Sequence, residues 1–401
     1  MYIRLIIVLI MTLPAFSFAA NGHPSSQVIV NWSLKKSVPK RLSSKKVEQD
    51  INFLIHVLDR AYVGKQYLPS GNYYSLLSRL SAIKGEDSRE HLKDTIDEVF
   101  LTVPDGHLKA MTYASSKKRA EKYRLIQHKK TSNIKHWNIK SYSRRGQKVL
   151  YVTIKLFPDA KSKAWKSLLA KLAVMLPQTN IVIMDLRDSP GGNSLASQKL
   201  VEALTGRKGK SAIVKEVHVQ SPWALGIMIN LLTHNAWNLK LSKKPVSNYL
   251  KEHISQAKQL YQESMRTSLV QPWGVIEDSV HMRSKLTVAP KAFQGPIAVL
   301  QGPLCRSACE LFVKTMGMFP NTISLGQPTS GILHFGNAGP ILLPNSKIMV
   351  MVPTVYLELY DREFVEGRGV KPGITLPVNK DAYQYVLHRL EWLRAKFSQV
   401  T

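Results

Sequence analysis

Hydrophobic positions along this chain follow two different periods, and the change between them divides it. From Ser43 to about Pro104 the period is helical. Val47, Ile51, Leu54, Ile55, Leu58 and Tyr62 recur at steps of three and four, then Tyr74, Leu77 and Leu80, then Leu92, Ile96 and Val99. This spacing predicts three helices forming a small N-terminal helical domain over residues 43–105. Beyond Gly106, strands and helices alternate. The run from Val149 to Phe157 is rich in β-branched and aromatic residues, a helix is expected from about Lys161 to Leu176, and Asn180 to Met184 reads as a strand buried on both faces. A second unit opens with Ile297 to Leu300, turns through Gly302 and Pro303, enters a helix near Ser307 and returns at Thr322 to Leu325. Two such βαβ units predict an α/β core over residues 106–401. Ile341 to Leu343 and Ile348 to Val352 flank a Pro344-Asn345-Ser346 turn and predict a hairpin, and a last helix is expected from about Lys380 to Phe397. Between the two units, residues 206–294 are mostly helical in pattern, carry Trp223, Trp237 and Trp273, and read as an insertion or cap.

The first residues obey neither period. Arg4 precedes an apolar stretch from Leu5 to Phe16, broken by Pro14 and followed by Ser17-Phe18-Ala19, the pattern of a cleaved secretory signal over residues 1–19. A membrane-spanning helix needs about 20 apolar residues, so the stretch is too short for an anchor. A periplasmic or secreted location is therefore expected. Residues 20–42 are polar and basic and read as a mobile or loosely docked leader.

Composition then limits the partners. With 401 residues and 44% hydrophobic positions, disordered and fibrous classes are excluded. The 56 Lys and Arg against 27 Asp and Glu give a net charge of +29, so the surface attracts polyanions, anionic lipid or acidic protein segments. A secreted chain meets little nucleic acid, and neither zinc-type Cys/His spacing nor an arginine-rich repeat is present. Nucleic acid is thus not expected as a partner, whereas contact with an anionic membrane surface or envelope polymers is. The two cysteines, Cys305 and Cys309, stand four residues apart where a helix is expected to begin. That geometry is a poor fit for a bond, and two small packed thiols are expected.

Four segments could carry chemistry, and each has an ordinary structural explanation when taken alone. Ser307, followed three residues later by Glu310, is the pattern of a helix-capping box, yet a serine at a helix start also lies beside free backbone N–H groups that can hold an oxyanion. Asp185-Leu186-Arg187-Asp188-Ser189-Pro190-Gly191-Gly192-Asn193 follows the carboxyl end of a buried strand, where ligand sites of open α/β sheets tend to lie; its glycines also suit a plain tight turn. Val103-Pro104-Asp105-Gly106-His107 is a turn ending in a histidine. The stretch from Asp361 to Pro372, containing Glu366-Gly367-Arg368-Gly369, reads as a charged loop.

In this order the four segments resemble the S41-type serine peptidases, which include the C-terminal processing (tail-specific) peptidases, tricorn protease and the interphotoreceptor retinoid-binding protein. The resemblance runs from about Asp50 to Pro377 and implies a crotonase-like spiral core of ββα units. It implies Ser307 as nucleophile, the amides of Gly192 and Ala308 as the oxyanion hole, and Glu310 as a structural acid. The tail-specific branch places a general-base lysine in a Gly-x-x-x-x-Gly-Lys segment; the matching stretch here runs from Gly326 to Ile332, with Ile332 at the lysine position. The tricorn-like branch uses a histidine, and the resemblance puts His107 there with Glu366 as its supporting carboxylate, while His334 is a rival base two residues past Ile332. The expected relay is Ser-His-Glu, with no cofactor and no metal. The interval from His107 to Lys148 is too short for the PDZ module of the tail-specific branch. The expected function is a secreted serine peptidase acting on protein or peptide substrates, including sites near their carboxyl termini. The competing class is an inactive ligand- or peptide-binding protein on the same fold, which would have no need of Ser307, His107, Glu366 and Gly192 together.

Overall fold

The computed structural model describes residues 24–32, 38–112, 136–241, 243, 245–267, 288–290 and 292–397. The signal segment and Trp273 lie outside the described residues. The helical period becomes α1 (Ser44–Ala61), α2 (Gly64–Tyr67), α3 (Asn72–Ser81) and α4 (Arg89–Phe100), with β1 (Arg41–Leu42) paired to β2 (Asp87–Ser88). Helix α1 buries Val47, Ile51, Leu54 and Leu58, and Tyr62 is enclosed just past its end. In α3 the inward face is Tyr73, Leu76 and Leu80, and Tyr74 is 75% exposed. Apolar residues stand at both 73/74 and 76/77, so period alone could not set the phase; packing on α1 does. These helices do not enclose a core of their own. Their apolar faces share one cluster with Phe335, Ile341, Ile348, Val350 and Val352 from the C-terminal third of the chain.

After β3 (Lys109–Thr112) come the hairpin β4 (Trp137–Arg144) and β5 (Gln147–Ile154), helix α5 (Lys163–Met175), β6 (Ile181–Asp185), α6 (Ser194–Thr205), β7 (Ile213–His218), α7 (Pro222–Leu241) and α8 (Asn248–Thr267). The chain continues through β8 (Ile297–Gln301), α9 (Ala308–Met316), β9 (Thr322–Gly326), β10 (Phe335–Gly336), β11 (Gly339–Leu342), β12 (Ile348–Val352), β13 (Val355–Leu359) and β14 (Ile374–Thr375), ending in α10 (Ala382–Leu387) and α11 (Leu390–Phe397). A six-stranded sheet in the order β14-β9-β8-β6-β5-β4 is parallel except for the β4/β5 hairpin, giving the α/β architecture expected. Strands β6 and β8 are buried at every position because both faces are covered. Val182, Met184, Ile297 and Val299 face the cluster under α5, α6 and α9, while Ile181, Ile183, Ala298 and Leu300 alternate to the cluster under α10 and α11. The expected hairpin forms as β11 and β12, with Ile341 opposite Val350.

Several expectations are corrected. The stretch 206–294 opens with a strand, since β7 pairs antiparallel with β13. Its Lys215 and Glu216 hide it from a search for apolar runs. The last helix is two helices, because the Arg389 amide bonds the Val386 carbonyl in a tightened turn that lets Leu387, Leu390 and Leu393 all face the sheet. Residues 24–32 are firmly docked rather than loose. Val28 and Trp32 are buried, and Asn230 of α7 accepts from the Val30 amide (2.8 Å) and donates to the Val28 carbonyl (2.7 Å). Trp223 packs edge-on against His56 at 4.7 Å, and Trp237 lies 6.3 Å from Trp32, so both serve packing. Among the described residues no helix is long and apolar enough to cross a membrane.

Candidate active site

Ser307 sits between the end of β8 and the start of α9 with φ 56° and ψ −123°. A non-glycine residue at positive φ is strained by about 1–3 kcal/mol and persists only where its surroundings over-determine it. Here the Ser307 amide donates to the Ile332 carbonyl (3.0 Å) and to Glu310 Oε2 (2.9 Å), and the Ser330 amide donates to the Cys305 carbonyl (2.9 Å). The fully buried Glu310 does more than its half of a capping box. It also accepts from Thr329 Oγ1 and the Gly331 amide at 2.6 Å and from the Ile332 amide at 2.9 Å, fastening the helix start to the 329–332 segment. Burial raises its pKa, against the pull of these four donors.

Gly191 of the glycine pair abuts the same turn. Gly191 has φ 85°, and a Cβ on it would lie 2.2 Å from the Arg306 carbonyl and 3.1 Å from the Ala308 nitrogen. Gly192 has φ 129°, and a Cβ there would lie 2.2 Å from the Phe157 carbonyl. Only glycine fits either place. Gly191 is thus the glycine that meets the Ser307 turn, Gly192 follows it against the Phe157 backbone, and Ala308 is the first residue of α9, where first-turn amides have no helical partner.

His107 is presented by a turn that Asp105 builds. Asp105 Oδ1 accepts from the His107 amide (2.9 Å) and the Leu108 amide (3.2 Å), and Oδ2 accepts from the Tyr62 hydroxyl (2.8 Å). Glu366 reaches the same place from the other end of the chain. Its Oε2 accepts from the Leu333 and His334 amides at 2.8 Å each, and Oε1 accepts from the Gly106 amide at 3.3 Å. Side-chain donor atoms of Asp105, His107 and Glu366 all lie within 4.8 Å of one another, and His107 Nδ1 is buried without a hydrogen-bond partner. The cluster has the donor types of a divalent cation, but Asp105 already engages both oxygens and Glu366 holds three amides, so it is built as a hydrogen-bond network. Burial, then the charges of Lys109 and Arg306, push His107 down to about 4. Burial, then the Asp105 charge, push Glu366 up to about 8, and burial raises Asp105 to about 6. Near neutrality His107 is therefore an uncharged imidazole, and one proton rests on the acid pair.

The rival base is occupied. His334 Nδ1 donates to the Leu357 carbonyl (2.7 Å), its Nε2 accepts from the Val365 amide (2.9 Å), and the ring stacks between Tyr356 and Phe364 at 5.5 and 4.9 Å. It braces β13 against the segment that leads to Glu366. Ile332 lies between the two halves of the site: its carbonyl holds Ser307, and its side chain stands 2.6 Å from where a Cβ on Gly106 would be.

Residues 148–376, more than half of the sequence, match peptidase family S41. The chain belongs to that family. It is accordingly a serine peptidase, and its substrates are proteins or peptides. No curated protein matches it in sequence. Among solved structures, mature CPAF in complex with lactacystin is 14% identical, with 89% of this chain and 99% of that one covered and a TM-score of 0.56. A candidate peptidase of Parabacteroides merdae is 13% identical over 89% of this chain and 99% of its own, with a TM-score of 0.52. These likenesses show the S41 fold. Tricorn protease, at 14% identity and a TM-score of 0.32, covers 62% of this chain and 18% of its own, and carries no argument.

Two features of this S41 site were not read from the sequence. Asp105 and its partner Tyr62 form the turn under His107, but they stand 43 residues apart and only the Asp-Gly turn pattern pointed there. Cys305 and Cys309 are joined by a disulfide with a Cα–Cα distance of 5.4 Å, correcting the expectation of two thiols. The expectation failed because the helix starts only at Ala308, so the bridge spans a turn and a first helical turn whose Cα separation lies in the usual range. A cavity of about 390 Å³ opens at the carboxyl ends of β6, β8 and β9, lined by Arg187, Gln301, Leu304 and Lys380 among others, and none of Ser307, His107 and Glu366 lines it.

Proposed function

We propose that this S41 peptidase cleaves peptide bonds through a Ser307-His107-Glu366 relay of the tricorn-like kind. The observation carrying the proposal is that His107 is a buried, neutral imidazole with an unpartnered nitrogen, held beside two carboxyl groups, while both nitrogens of His334 are taken. Ser307 Oγ attacks the scissile carbonyl as its proton passes to His107; the amides of Gly192 and Ala308 receive the oxyanion; His107 then returns the proton to the leaving amine, and water resolves the acyl-enzyme by the same path. The charge on the Asp105–Glu366 pair stabilises the imidazolium formed midway. Ile332 supplies no basic group, which supports the histidine rather than the lysine variant.

The segment before Ala20 supports export to a periplasm or beyond, and the net charge of +29 supports electrostatic contact with anionic membrane surfaces or envelope polymers. The resemblance to a family that includes C-terminal processing peptidases supports cleavage near substrate carboxyl termini as part of this activity. Labelling with a fluorophosphonate, followed by mass spectrometry, should find the adduct on Ser307. Ser307→Ala should be unlabelled and inactive; an adduct elsewhere, or an active variant, would overturn the assignment.

A further inference from the structure

The Cys305–Cys309 bridge closes a loop that contains only Arg306, Ser307 and Ala308. On the reading above, these include the nucleophile and one oxyanion amide. Both cysteines are fully buried, packed in the cluster under α5, α6 and α9. Cys305 belongs to the turn after β8, where its amide bonds the Gly302 carbonyl (2.9 Å) and its carbonyl holds Ser330; Cys309 belongs to the first turn of α9. The covalent link thus ties strand-end to helix-start across the one strained residue between them, Ser307 at φ 56°. Five residues are a short loop, and closing a short loop removes less entropy from the unfolded chain than closing a long one. The bridge is therefore less suited to global stabilisation than a long-range one would be, and it is well placed to fix local geometry.

We propose that this disulfide is a positioning device for the chemical step: it holds Ser307 and the Ala308 amide in register with His107 and with the incoming carbonyl. Since small misplacements in a catalytic constellation act on the transition state more than on substrate binding, its loss should lower kcat and leave KM nearly untouched. Hydrogen bonds from Glu310 and Ile332 still hold the turn roughly in place, so the unbridged protein should fold.

The inference rests on Ser307 being the nucleophile, and the test separates the two claims. The native protein is first alkylated under denaturing, non-reducing conditions; two modified thiols would overturn the proposal at once. Cys305→Ala/Cys309→Ala is then compared with wild type for kcat, KM, fluorophosphonate labelling rate and Tm. The expected result is a fall of about tenfold or more in both kcat and labelling rate, KM within about twofold, and the adduct still on Ser307. A lower Tm with wild-type kcat and labelling rate in the folded protein would overturn it, because that is the signature of a merely structural staple. Should the double variant fail to fold, wild type reduced with a phosphine in mild denaturant and assayed after dilution serves instead; the dithiol form should show the same fall, reversed on reoxidation, and unchanged kcat would overturn the proposal. Ser307→Ala in the same assays is the control for the nucleophile: activity there would remove the underlying reading, whereas a dead Ser307→Ala beside a fully active unbridged enzyme would remove the positioning role alone.

Discussion

Glu366 ordinarily ionises near 4.5 and here near 8, so between these values the folded chain keeps a proton that the unfolded chain has released. Its contribution to stability is therefore full at low pH and lost as pH rises through that window. Asp105 acts in the same direction between 3.8 and about 6. His107, lowered from 6.5 to about 4, acts oppositely and withdraws stability as pH falls through its own window. Glu366→Gln should flatten the alkaline loss, so the gap in Tm between pH 5 and 8 should narrow relative to wild type, while kcat falls by about a hundredfold or more. The acid limb of wild-type kcat/KM should lie below the usual histidine value of about 6.5, and a limb at or above that value would show that His107 is more solvated than its burial implies. At the same scale, Gly191→Ala drives a methyl into the Arg306 carbonyl; a loss of about 2–4 kcal/mol in denaturant melts, with near-complete loss of turnover, is expected.

The elements show what the sequence could and could not disclose. Strands β6 and β8 were legible because burial on both faces forces unbroken apolar runs, and β7 was not, because Lys215 and Glu216 interrupt the apolar run of a strand that is only partly buried along most of its length. For the site, no single segment was decisive, since Ser307 with Glu310 is also a cap and Gly191-Gly192 is also a turn. Their order along the chain carried the reading. Asp105 and Tyr62 stayed hidden because their pairing is a tertiary contact, and the phase of α3 stayed hidden because two apolar faces compete. Helix α9 tests how much hangs on one acid. Glu310→Gln turns an amide NH₂ toward two of the four donors, either Thr329 Oγ1 and the Gly331 amide or the Ser307 and Ile332 amides; a loss of about 3–5 kcal/mol by urea denaturation is expected, together with weaker labelling of Ser307.

At the scale of the whole molecule, one apolar cluster runs from Val28 through the N-terminal helices and Trp223 to Val352. Helix α7 is therefore part of the core, and a deletion across residues 206–294 would remove both β7 from its sheet and Ile227 from this cluster. Asn230, which also donates to the Pro340 carbonyl (2.9 Å), ties the docked segment 24–32 to β11. Asn230→Ala should cost about 1–3 kcal/mol and speed limited proteolysis within residues 24–32, with turnover of the folded enzyme unchanged. Protection equal to wild type would mean that Val28 and Trp32 anchor the segment unaided.

The segment from Thr329 to His334 touches both halves of the site at once: Thr329, Gly331 and Ile332 grip Glu310, Ile332 holds Ser307, and Leu333 and His334 grip Glu366, which in turn holds Gly106. Such a strut makes the two halves report on each other. When Ser307 is acylated and its turn stiffens, amide hydrogen exchange at Leu333, His334 and Gly106 should slow even though none of them meets the acyl group, so the chemical state of the nucleophile becomes readable as protection at the foot of the histidine turn.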